Sequence, residues 1–161
     1  LFSFFKKSVV ALVAAVMLLS FSAGTASAAS PMNEQIDALI GTPYKAGGTS
    51  DKGFDCSGFT QYLFAQFNLE LPHNSAAQAK EGYWIPQSDL RPGDLVFFNT
   101  SGKGISHVGV YIGDRMFAHS ASDEGVTKSS LDESYYKKRY VSARRVLWEE
   151  IYTQMTSEPA E

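Results

Sequence analysis

The stretch GFDCSGF, Gly53 to Phe59, holds the only cysteine in 161 residues, at a point where the character of the chain changes. Before it, Tyr44 to Gly53 is rich in glycine and polar residues and reads as a loop. After it, Phe59, Leu63 and Phe67 recur at four-residue spacing, flanked by Tyr62 and Phe64, which predicts a helix with a broad buried face. Cys56 therefore sits at or just before the first helical turn. Unpaired N–H groups there carry roughly half a positive charge and favour a thiolate. That matters because a thiol of ordinary pKa, about 8.5, is mostly protonated at neutral pH and a poor nucleophile. The competing reading is a buried structural thiol, and composition alone leaves the two open.

Working outward, Ile36, Leu39 and Ile40 predict a short helix over Asn33–Ile40, stopped by Gly41-Thr42-Pro43. Ser75–Glu81 reads as a second short helix and Leu90–Asp94 as a turn. Strands are expected at Leu95–Phe98, His107–Ile112, Met116–Ser120 and Val126–Lys128. Leu131–Lys138 reads as helical, and Tyr140–Leu147 as a closing strand with Arg144 and Arg145 at its surface. Helices come first and an antiparallel sheet follows, which is an α+β arrangement.

The N-terminal segment has a different function. Lys6 and Lys7 precede an almost unbroken apolar run from Val9 to Phe21, and Ala26-Ser27-Ala28 follows with small residues. That is the pattern of a secretory signal over residues 1–28, cleaved after Ala28. The run is shorter than the ~20 residues of a spanning helix, so no stable membrane anchor is expected after cleavage. Ala29–Met32 reads as a leader, residues 33–148 as one continuous domain, and residues 149–161, ending TSEPAE, as a flexible acidic tail. Without Lys6 and Lys7, twelve basic side chains face seventeen acidic ones, a formal charge of −5. No basic patch invites nucleic acid. One cysteine forms no internal disulfide, and a lone thiol in an oxidising compartment is a hazard unless it has a use.

The three histidines are the available bases. His107 opens a strand and points away from the face carrying Val108, Val110 and Ile112, while His119 ends the next strand and His73 lies in a loop. Singly they read as a solvent-facing, a partly buried and a surface histidine. As a set with Cys56 they match a nucleophile, a base and an orienting group. Register decides whether the set assembles. A two-residue Gly113-Asp114 loop places Val108 opposite His119 and sends His119 to the core side, leaving His73 as the replacement. An odd loop or a bulge shifts the register by one and puts His107 and His119 on one face as neighbours. No histidine or cysteine pair has zinc-motif spacing, so neither metal nor cofactor is expected.

YKAGG, FDCSGF, LRPGDLVFF, SHVGVYIG and FAHSAS occur in that order, and together they resemble the NlpC-type bacterial cell-wall cysteine peptidases, a papain-like group. The resemblance covers nearly all of Asn33 to Leu147. It implies a papain-like fold with N-terminal helices packed on a central antiparallel sheet. It also implies Cys56 as nucleophile, His107 as general base and acid, and His119 as the third polar residue. Tyr44, Asp55 and Ser57 match positions that hold the substrate peptide. Asp55 opposes the thiolate unless its charge is directed at a ligand amine or a backbone N–H. The implied reaction is cleavage of peptidoglycan stem peptides at the γ-D-glutamyl–diamino acid bond, by a secreted, wall-associated monomer. An amidase cutting the sugar–peptide link or a cross-bridge, and a non-catalytic wall-binding protein on the same scaffold, are the alternatives.

Overall fold

A computed structural model describes residues 29–156; the expected signal segment, residues 1–28, and residues 157–161 lie outside it. The chain opens with α1 (Pro31–Leu39), capped by Ser30 Oγ, which accepts from Asn33 N at 3.2 Å, with a proline in its first turn. The expected leader is thus largely helix, and Met32 is fully buried. Two short strands, β1 (Thr49–Ser50) and β2 (Gly53–Phe54), form a small hairpin. Then come α2 (Cys56–Ala65), the single turn α3 (Ser75–Gln78), β3 (Tyr83–Ile85) and β4 (Leu95–Phe98). β5 (His107–Gly113), β6 (Met116–Ala121), β7 (Gly125–Ser130), the turn α4 (Ser134–Lys137), β8 (Tyr140–Arg145) and α5 (Glu149–Thr156) complete the described chain.

Six strands form one sheet in the order β3-β8-β4-β5-β6-β7, every neighbour antiparallel. The alternation of β5 divides its two sides. Leu95, Phe97, Val108, Val110 and Ala118 pack with Met32 and Ile36 of α1 and Phe59, Leu63 and Phe64 of α2. Ile85, Val96, Phe98, Tyr111, Phe117 and Ala143 form a second core on the other side. The α+β architecture with helices on an antiparallel sheet stands as read from the pattern.

Three readings change. The segment after Trp148 is not a loose tail as far as Thr156: α5 inserts Met155, fully buried, against the α1 side of the core, with Ile151 and Tyr152 packed beside it. A period of 3.6 in a short, acidic segment is easily lost among polar residues. Arg145 is not a surface residue. Its guanidinium is 14% exposed and bonds both oxygens of Asp94, itself 1% exposed, at 2.8 Å each, and its Nη2 donates to Asp89 O at 2.9 Å. A buried carboxylate needs such a partner. The strands β1, β2 and β3 went unread because two or three residues show no periodicity. Among the described residues, no helix is long and apolar enough to cross a membrane.

Candidate active site

Helix α2 begins at Cys56 because Asp55 caps it. Asp55 Oδ1 accepts from Gly58 N at 2.7 Å, and Oδ2 from Gly47 N at 3.0 Å. The same carboxylate accepts from Ser57 Oγ at 3.2 Å and meets His73 Nε2 at 2.8 and 2.9 Å. Its charge is therefore directed at two backbone N–H groups and an imidazole, which reduces its opposition to a thiolate without removing it. Gly58 is required by the close approach of the loop, since a Cβ there would collide with the carbonyl oxygen of Gly48.

The β5–β6 hairpin brings the other two histidines together. Its loop has two residues, Asp114 and Arg115, both left-handed at φ 50° and 60°. Arginine holds that conformation through Arg115 N to Tyr111 Oη at 3.1 Å and a two-pronged ion pair with Asp132 at 2.6 and 2.8 Å. A bulge at Ile112 and Gly113, the latter at φ 96°, shifts the register so that Tyr111 faces Phe117 and Val110 faces Ala118. That is the shift the sequence required. His107 Nε2 lies 3.0 Å from His119 Nδ1, with the rings edge to face. Gly109 leaves room for this packing: a Cβ there would lie 2.6 Å from Phe117 Cδ2 and 3.2 Å from His119 Cβ.

Cys56 and His107 line one cleft of about 440 Å³, together with Tyr44, Ser106, Ser129 and Tyr136. The Cys56 Sγ lies 4.0 Å from Ser106 O, and the Val108 backbone also meets the thiol. Burial pushes the thiol up, with Asp55 adding to it, while hydrogen bonds from the Val108, Ser57 and Cys56 backbones pull it down. Burial lowers His107 to about 4, and burial with the nearby His107 lowers His119 to about 3. An uncharged thiol and imidazole are thus favoured in this cleft, where the helix terminus alone pointed to a thiolate.

Tyr44 is 38% exposed on the cleft wall, whereas Ser57 is buried with its hydroxyl committed to Asp55. His73 joins the region through Asp55 and shares no hydrogen bond with the histidine pair. His119 is fully buried, and its Nε2 lies 3.0 Å from Ser129 Oγ. Ser129 and Tyr136 belong to no motif that the sequence displays and arrive from a late strand and a single helical turn, while Ser106 opens the SHVGVYIG motif without having been singled out. Asp123, Glu124 and Glu133 make one part of the cleft acidic. Among the described residues no group of three or more His, Cys, Asp or Glu side chains is placed to hold a metal ion.

The model of the NlpC/P60 family matches residues 41–145. The murein DD-endopeptidase MepS/murein LD-carboxypeptidase of Escherichia coli (strain K12) is 49% identical over 108 residues, 66% of this chain and 57% of its own length. The gamma-DL-glutamyl hydrolase of Bacillus subtilis (strain 168) is 39% identical over 127 residues, 77% of this chain and 31% of that protein. Among solved structures, an NlpC/P60 family protein from Bacillus cereus ATCC 10987 superposes with a TM-score of 0.69 at 36% identity, covering 73% of this chain and 40% of that one. The chain thus spans little more than half the length of the first of these relatives.

Proposed function

The chain belongs to the NlpC/P60 family, and from that premise we propose that it is an exported cysteine endopeptidase of peptidoglycan stem peptides, cutting the γ-D-glutamyl–diamino acid bond. The observation that carries this reading is the 3.0 Å bond between His107 and His119 beside the cleft that Cys56 opens onto. The relative named as a gamma-DL-glutamyl hydrolase supports the choice of bond.

In this reaction His107 takes the thiol proton as Cys56 Sγ attacks the carbonyl carbon, so charge develops only with the transition state. The half-buried, uncharged pair favours that timing. The Cys56 backbone N–H, at the start of α2, donates to the developing oxyanion. The imidazolium then protonates the leaving amine, and neutral His107 draws a proton from water to hydrolyse the thioester. Tyr44 lines the acyl side. Asp55 takes a substrate amine once His73 yields its place, and Ser57 holds Asp55 in position. The acidic wall of Asp123, Glu124 and Glu133 complements the ammonium group of a diamino acid. Residues 33–148 serve as the catalytic domain, with α5 docked onto it, and residues 1–28 direct export to the cell wall.

Incubating the chain from Ala29 onward with disaccharide tetrapeptide and weighing the products tests this. Release of a dipeptide of diamino acid and D-alanine is expected. A second reading draws on the 49%-identical relative, whose name is murein DD-endopeptidase: conversion of cross-linked muropeptide dimers to monomers would select it. Release of the whole stem from the sugar would indicate an amidase, and no reaction with any muropeptide would leave a wall-binding protein.

A further inference from the structure

We propose that His73 is a specificity-determining residue. It fills the seat on Asp55 that a substrate amine would take, so a stem peptide with a free terminal amine must displace it, whereas a stem whose amine is blocked by an amide meets no such competition. The proposal rests on the cysteine-peptidase reading and says which end-group that site selects against.

An ionised carboxylate has about four lone-pair sites and donates nothing. Those of Asp55 are all taken. Oδ1 accepts from Gly58 N at 2.7 Å and Ser57 Oγ at 3.2 Å, Oδ2 accepts from Gly47 N at 3.0 Å, and His73 Nε2 lies across both oxygens at 2.9 and 2.8 Å. Because the carboxylate only accepts, His73 Nε2 carries a proton. Two of the other donors are backbone groups, fixed by α2 and by the loop against it, where Asp55 N donates back to Gly48 O at 3.0 Å; the third, Ser57, is buried. His73 comes from elsewhere in the chain and keeps 30% of its side chain exposed. It is the one donor that an incoming ammonium group can replace.

The chain on either side of His73 is tied down. Gln61 Nε2 donates to Leu71 O at 2.8 Å, and Asn74 Oδ1 caps α3 by accepting from Ala77 N at 2.9 Å. Gln78 has no exposed surface; its Nε2 donates to Pro72 O at 2.8 Å and Ser57 O at 3.1 Å, while its Oε1 accepts from Thr60 Oγ1 at 2.8 Å. Two carbonyl acceptors settle which end of that amide is nitrogen. With its backbone held to α2 and α3, the imidazole leaves Asp55 by rotating its own side chain. The seat it vacates adjoins the reacting groups: Asp55 precedes Cys56 and follows Phe54, which bridges to Tyr44 of the cleft wall. A free ammonium, a cation with three donors, can hold that seat. An acylated terminus, as on a stem still joined to its sugar, offers one neutral N–H and leaves His73 in place.

The test compares a stem tetrapeptide carrying a free L-alanyl amine with the same peptide N-acetylated, in the unaltered chain and in His73→Ala. Loss of the competitor should lower KM for the free peptide relative to the acetylated one by about 2- to 10-fold, the worth of one hydrogen bond, with little change in the kcat ratio. His73→Gln keeps an N–H donor and should stay closer to the parent ratio. The same KM ratio in parent and alanine variant overturns the proposal, as does an equal shift in the alanine and glutamine variants. A second measurement needs neither a variant nor turnover: ¹⁵N-histidine NMR of the unaltered chain, titrated with the dipeptide L-alanyl-γ-D-glutamate. The His73 ring signal should move with the free dipeptide and stay still with its N-acetyl form. A His73 signal unmoved by the free dipeptide, whether or not other signals shift, is equally fatal. A chain that cleaves no stem peptide or muropeptide yet shows the displacement would fail the peptidase reading and keep the proposal; cleavage without displacement would do the reverse.

Discussion

At the scale of single residues, the site separates groups that react from groups that hold. Cys56 is only partly buried, and its thiol meets Ser106 O at 4.0 Å and the Val108 backbone. Cys56→Ala is therefore expected to abolish hydrolysis, read by product mass, while changing stability by less than about 1 kcal/mol in urea unfolding. Asp55 does both jobs: it caps α2 and keeps 17% of its side chain exposed beside His73. Asparagine still caps a helix but turns an NH2 toward the Gly47 N–H, so Asp55→Asn should cost about 1–2 kcal/mol in stability. Loss of a charged partner for a substrate amine should lower kcat/KM by more than about tenfold. Equal losses in the two measurements would make Asp55 purely structural.

Elements are placed by features smaller than themselves. The bulge in β5 and two left-handed residues in the loop set the histidine register, and Gly109 gives the paired strands room. A methyl group at Gly109 would also lie 2.8 Å from Ala118 O, so backbone as well as Phe117 must shift. Gly109→Ala should cost about 1–3 kcal/mol by denaturant midpoint, and activity should fall with the displaced imidazole of His119. Helix α5 belongs to the folded unit through Met155, which has no exposed surface. Met155→Ala leaves a cavity against α1 and is expected to cost about 2–5 kcal/mol, measured the same way. A variant as stable as the parent would show that α5 is not anchored there.

For the whole molecule, one buried and one half-buried imidazole make stability depend on pH. His107 and His119 are lowered from 6.5 to about 4 and about 3. Between these values and 6.5 the unfolded chain binds protons that the folded chain refuses. The stability these groups contribute is therefore fully present above about pH 6.5. It falls on acidification toward pH 4, by about 1.4 kcal/mol per pH unit for each imidazole. Urea midpoints across pH 4–8 should show this rise, and His119→Asn should flatten it; an unchanged slope in that variant would place the acid sensitivity elsewhere.

The sequence by itself determined the order of the longer elements from α1 to β8, the helix start at Cys56 and the pairing of apolar residues with the sheet, because each is a local pattern of period 3.6 or 2. It also posed the histidine question in the right form, since alternation makes a one-residue shift flip a side chain to the other face. Which register holds was a tertiary decision. It depended on Tyr111 and Asp132 stabilising an arginine in a left-handed turn, contacts that no local pattern records. The same is true of His73 on Asp55, Arg145 on Asp94 and Ser129 on His119, separated by 18, 51 and 10 residues. A polar side chain is assigned its partner only when burial removes water as the alternative, and burial belongs to the folded molecule rather than to the chain.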